Sequence, residues 1–267
     1  MLDALLINAA LLIVVVLVLW LISVRLGDVS FIDAFWGAGM AMLAISSFVQ
    51  LADPGVLAFV LLAMTAVWGF RLGIHLLRRW WREGEDQRYE RLLRQDREKG
   101  RFALAALVKV WLGQAVLLFL VSSPAQLGIL GAAAPTPVTA RAWAGFALYG
   151  VGVFFEWLGD WQLAQFKSDP ANEGEVLDTG LWRYTRHPNY FGDACAWWGI
   201  WLVCAAVDPW LALYTVAGPI FLTFTLTKWS GAALLESGMK KKRGDKYAGY
   251  IERTSAFVPW PPKDDRT

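Results

Sequence analysis

Apolar residues along the chain gather into seven windows, each close to the roughly 20 residues that carry an α-helix across a bilayer. They cover about residues 4 to 26, 32 to 51, 55 to 77, 102 to 123, 141 to 165, 190 to 207 and 209 to 229. Asp208-Pro209 alone separates the sixth from the seventh, which predicts a tight hairpin. The expected fold is all-α, an integral membrane bundle of about seven transmembrane helices. The Gly-, Ala- and Pro-rich stretch from Gly128 to Thr139 carries no charge and reads as an outer loop.

Composition and charge orient this picture. Of 267 residues, 57% are hydrophobic and 18% charged, against about a quarter charged in a soluble domain. Lys and Arg number nine in 78–101, three in 166–189 and nine in 228–267, while the turn near Asp53-Pro54 and the loop 124–140 have none. Basic loops on one side of an odd number of spans predict an outside N-terminus and a cytoplasmic C-terminus. The basic residues lie where a membrane protein carries them, so the net charge of +2 does not point to nucleic acid. Cys195 and Cys204 share one apolar segment, about 13 Å apart along a helix, too far for a disulfide. The first apolar run is too long for a signal-peptide core and lacks a basic flank, so no cleavable signal is expected.

Polar residues inside the apolar windows are the candidates for chemistry. Asn8 is the one interior polar side chain noted in the first window, which reads as lipid-facing scaffold. Asp33 opens the second helix, either as an acid favoured by the helix dipole or as an acid facing a cavity. Trp68, Arg71, His75, Arg78 and Arg82 form a stripe on the third helix at spacings of three and four. Arg71 and His75 are expected to meet Asp33, Glu156, Asp160 or a ligand, although a histidine on such a face also suits a hydrogen-bonded core. The mixed-charge loop Glu83 to Tyr89 reads mostly as a solvated amphipathic segment. On the fourth helix, Lys109 reads as snorkelling and Gln114 as packing. Tyr149, Glu156, Asp160 and Lys167, offset by 7, 11 and 18 residues, lie near one line on the fifth helix. Its two acids require partners inside the bundle, and Arg71 or Arg78 could supply them as an ion-pair network.

The densest cluster runs from Gly180 to Asp193, immediately before the sixth window. Pro188 suits the first turn of a helix, which sets Asn189, Tyr190 and Asp193 at an N-terminus whose free N–H groups favour an anion. Arg183 and Arg186 just outside can pair phosphates. After the last window come Glu236, the run Lys240-Lys241-Lys242-Arg243, then Tyr247, Tyr250 and Arg253. The basic run also suits anionic lipid headgroups.

The run Arg183-Tyr184-Thr185-Arg186-His187-Pro188-Asn189-Tyr190-Phe191-Gly192-Asp193 resembles the C-terminal signature of the steroid 5-alpha-reductase family, in its bacterial branch. Sterol reductases and isoprenylcysteine methyltransferases carry looser versions. The likeness is good over roughly 145–262 and weak before that, and Glu85-Asp86-Gln87-Arg88-Tyr89 also matches a pattern of the branch. The resemblance implies an NADPH-dependent reductase, 1–140 forming scaffold and substrate pocket and 141–267 binding the cofactor. Carried over by position, Glu156, Asp160 and Lys167 fall where the reductases hold the adenosine side of NADPH, with Glu in place of Asn. Arg183, Tyr184, Arg186, His187, Asn189, Tyr190 and Asp193 come from the signature. Tyr247, Tyr250 and Arg253 come from a terminal Tyr-x-x-Tyr element that closes over the cofactor. Glu236 ends a segment where relatives have a histidine- or glutamate-rich motif.

Hydride transfer to a conjugated alkene needs a held cofactor, a dry pocket and an acid that polarises the acceptor carbonyl. Trp36, Trp68, Trp197 and Trp198 would line the pocket. Relatives polarise the carbonyl with a Gln-Glu pair and a tyrosine. This chain offers Asp33, Arg71 and His75 there, which implies another substrate or another arrangement. The expected substrate is a steroid-like or other enone lipid, and the expected location a bacterial inner membrane. No Gly-x-Gly-x-x-Gly is present, so a Rossmann site is excluded. An S-adenosylmethionine-dependent membrane methyltransferase and a non-catalytic membrane scaffold stand as alternatives.

Overall fold

A computed structural model describes residues 1–133, 136–229 and 231–263, without the side chains of Ala233 and Leu234. Ala134 and Pro135 of the expected outer loop, and Arg266 of the basic C-terminal count, lie outside the described residues. The protein is an all-α integral membrane bundle in which, among the described residues, seven helices are long and apolar enough to cross a membrane. These spans, numbered in chain order, are Leu2–Leu26, Ile32–Val49, Val56–Glu83, Phe102–Val121, Ala140–Ser168, Pro188–Val207 and Pro209–Trp229. Gly27, in the left-handed region at φ 70, ends span one. Asp208 caps span seven by accepting from Trp210 N at 2.8 Å, with Pro209 in the first turn, and so forms the hairpin that its sequence predicts.

The chain divides into two compact units, Met1–Ala142 with Val203–Gly218, and Trp143–Leu202 with Pro219–Thr267. In the first, spans two and three meet backbone to backbone at Gly37, Gly69 and Gly73, where a Cβ would collide with the facing main chain. Span one is more than lipid-facing scaffold. Fully buried Asn8 donates to Ser47 Oγ and to Gln126 Oε1, both at 2.8 Å, and accepts from Gln50 Nε2 at 3.1 Å. An amide buried in an apolar bundle must find such partners, and Asn8 thereby ties span one to the rest of the unit. Gln126 belongs to a helix, Ser123–Gly131, that packs on spans two and three. The stretch read as an outer loop from Gly128 is therefore helical to Gly131, with Gly128 and Ile129 buried.

In the second unit, spans five and six form a seam of small residues. A Cβ on Gly152 would stand 2.5 Å from Ala196 N, and one on Gly192 2.5 Å from both Glu156 N and Gly152 O. Gly159 meets Pro188 and Gly199 meets Tyr149 along the same line. This close approach fixes the start of span six against the polar end of span five. Among the described residues, span seven is followed by the helices Ala232–Arg243 and Asp245–Arg253, which form the tail.

Candidate functional site

The last turns of span five are the platform on which the site of the second unit is built. Gln162 Oε1 accepts from Leu181 N at 3.0 Å, and Trp182 Nε1 donates to Gly159 O at 3.1 Å. Gly180, at φ 59, lies over the Gln162 amide where no Cβ fits, so the short helical turn Gly180–Arg183 needs a glycine at its start.

From that turn the signature interlaces with the tail. Thr185 and Ser255 form a parallel bridge, Arg186 N donates to Ser255 O at 2.9 Å, and Thr185 Oγ1 donates to Phe257 O at 2.8 Å. Trp260 N donates to Tyr184 O at 2.9 Å. Arg186, buried, donates from Nε to Glu236 Oε1 at 2.8 Å and from Nη1 to Thr254 O at 2.6 Å and Ile251 O at 3.1 Å. His187 Nε2 shares a hydrogen bond with the same Glu236 Oε1 at 3.0 Å. Its ring stacks on Tyr190, with centroids 5.4 Å apart and planes within 6°. Asn189, in the first turn of span six, donates to Asp160 Oδ1 at 3.0 Å. Tyr250 OH donates to Trp182 O at 2.5 Å, and its ring lies 5.8 Å from that of Tyr247.

The electrostatics follow from these contacts. Burial works to raise the Glu236 pKa, but hydrogen bonds from His187 and Arg186 and the charge of Arg186 outweigh it, and the carboxyl falls to about 2. Burial, assisted by the Glu236 charge, pushes Tyr247 up to about 12 and drives Tyr250 higher still. Both phenols therefore keep their protons at neutral pH.

The unit thus brings together Asp160, Arg186, His187, Asn189, Tyr190, Glu236, Tyr247 and Tyr250 through span five, the start of span six and the tail. Glu156 is buried on the seam, and Asp193 is half-buried one turn into span six. Lys167, Arg183 and Tyr184 are exposed. Arg253 lies 3.5 Å from Asp178. Arg186, expected to pair a phosphate, instead clamps the tail, because Glu236 and two tail carbonyls take its donors.

Asp33, Arg71 and His75 belong to the first unit. Asp33 Oδ1 accepts from Tyr89 OH at 2.7 Å and Oδ2 from Arg88 Nη2 at 2.6 Å. Those two are half-buried on span three, on the side away from the Gly69 and Gly73 contact. The loop read as solvated opens the helix Gln87–Glu98, capped by Asp86, whose Tyr89 and Leu93 are buried. Gln114, read as packing, donates to Tyr89 OH at 3.3 Å and accepts from Trp36 Nε1. Burial, reinforced by the Asp33 charge and hydrogen bond, holds the Tyr89 pKa well above the usual phenol. Tyr89 is the residue that sequence reasoning left without a role. Its signal was the Arg88-Tyr89 pair in an otherwise solvated charge run.

The sequence profile of the family described as "Protein of unknown function (DUF1295)" matches residues 19–254, and the chain belongs to that family. No curated protein and no solved structure matches it.

Proposed function

We propose that this DUF1295 protein is an NADPH-dependent membrane reductase that saturates the conjugated C=C bond of a 3-oxo steroid-like or other enone lipid. The observation carrying this reading is the weave of the second unit. Aromatic, amide, acidic and basic side chains of one short segment are held against the end of span five and under the tail, as a bound dinucleotide requires.

The donor chemistry fits that cofactor. Exposed Lys167 and Arg183 suit its phosphates, the Asp160–Asn189 pair suits hydroxyl and amide groups, and the Tyr190 ring on His187 offers a flat face. Arg186 and Glu236 act indirectly, by fixing the tail. When bound, NADPH supplies the hydride.

The first unit separately offers a hydrogen-bond donor for a lipid carbonyl, Tyr89. Asp33, paired with Arg88, is a hydrogen-bond acceptor, whereas the phenol keeps its proton and is oriented by Asp33 and Gln114. A lipid carbonyl oxygen that replaces Asp33 as the phenol's acceptor would be held by that hydrogen bond. The expected topology, with an outside N-terminus and a cytoplasmic C-terminus in a bacterial inner membrane, would face the second-unit site toward the compartment that makes NADPH.

Thermal unfolding of the purified protein with NADPH, NADH or S-adenosylmethionine tests the reading. NADPH should raise the apparent Tm, and Asn189→Ala and Asp160→Asn should remove that rise. Stabilisation by S-adenosylmethionine alone would assign a methyltransferase, and none by any of the three would leave a scaffold.

A further inference from the structure

The tail helix Ala232–Arg243 has two faces. Glu236 is on the inner one, held by Arg186 and His187, and Arg243 lies against Gly174 on the same side, with Nη1 3.5 Å from where a Cβ would stand. At 100° per residue, Leu235, Lys241 and Lys242 point elsewhere, and Lys240 lies at the border. Lys240, Lys241 and Lys242 are all exposed, and among the described residues none of them forms an ion pair. Two basic groups of the next helix differ, since Lys246 is bound to Glu175 at 2.6 Å and Arg253 lies 3.5 Å from Asp178.

The outer face also carries apolar surface. Leu235 is 50% exposed, and Trp229, the last residue of span seven, is 60% exposed. Because the helix starts three residues after Trp229, its first turn follows directly on a membrane span. A tryptophan there suits the headgroup level of a bilayer, where its ring and Leu235 leave water while the lysines stay in it. A row of free ammonium groups beside that level attracts negative headgroups, and a zwitterionic surface gives no such attraction.

We propose that this outer face is a binding surface for anionic phospholipid headgroups, and that lipid bound there holds the Glu236 clamp closed. The lipid contacts Lys241 and Lys242, with Lys240 at the edge, on a helix whose inner side bears Glu236. Immobilising the helix therefore lowers the opening of the Arg186–Glu236 contact. The membrane becomes part of the site's stability, whichever cofactor the site takes.

Hydrogen–deuterium exchange of residues 232–253 tests this, with the full chain in nanodiscs of phosphatidylcholine or of phosphatidylcholine mixed with phosphatidylglycerol. Exchange should be about tenfold slower with the anionic lipid, and salt at about 0.5 M should cancel the difference through screening. Combined Lys240→Gln, Lys241→Gln and Lys242→Gln should exchange as wild type does in phosphatidylcholine and gain no protection from phosphatidylglycerol. The corresponding three-arginine variant should keep the protection. Equal exchange of wild type in the two lipids, or protection that survives the glutamine substitutions, would overturn the proposal. No cofactor enters the measurement, so a failed reductase reading leaves it intact.

Discussion

Arg186 and Glu236, fifty residues apart in sequence, meet at 2.8 Å and fasten the signature to the tail. Arg186 is 9% and Glu236 18% exposed at the side chain, so each depends on the other for the loss of water. Glu236→Gln should lower stability by about 2 kcal/mol, because a buried guanidinium loses its counter-charge while keeping one hydrogen bond. The check is the apparent Tm in detergent, read beside proteolysis of the tail.

The same pair makes stability depend on pH. Glu236 titrates at about 2 when folded, against an ordinary 4.5. Because the folded value is the lower, the stabilisation is complete above the ordinary value. It is lost as the pH falls from about 4.5 toward about 2. Tm measured between neutral and acid pH should show this decline in the wild type and less of it in Glu236→Gln.

Glycines separate close packing from mere helix content. Gly192→Ala places a methyl 2.5 Å from two backbone atoms of span five and should cost about 3 kcal/mol, with loss of ligand binding. Gly238→Ala meets nothing within 4 Å inside a helix and should be neutral or gain about 0.5 kcal/mol. Parallel melts of the two variants provide the comparison.

Tyr89→Phe keeps the ring and removes the phenol. It should leave the NADPH-induced Tm shift unchanged and weaken binding of an enone lipid by about tenfold, read by titration. Gln114→Ala should weaken it less, since the phenol that donates to the carbonyl is retained. Both readouts together distinguish a lost donor from a lost fold.

The spans were legible because an apolar run of membrane length has few other uses, and their borders differ from the structure by only a few residues except at the end of span three. That helix continues past its apolar window to Glu83, where Arg79 bonds Glu83 and Asp86. The helix Ser123–Gly131 was not legible, since its small residues show no period and its anchor, Gln126 to Asn8, spans 118 positions. Asp33 and Tyr89 were each visible, but their meeting depends on how the Gln87–Glu98 helix folds back, which no local pattern records. In the second unit the cluster from Gly180 onward stood out as polar residues in an apolar context. The conversion of Arg186 from a phosphate partner to a tail clamp depends on where the tail lies.

Mass spectrometry of small molecules retained by the gently solubilised, purified protein tests most directly whether the second unit grips a dinucleotide. The account predicts NADPH or NADP+ in near-equal amount to protein, and at least tenfold less in Asn189→Ala. Recovery of S-adenosylmethionine or its demethylated product instead, or an unchanged NADP(H) content in that variant, would contradict it.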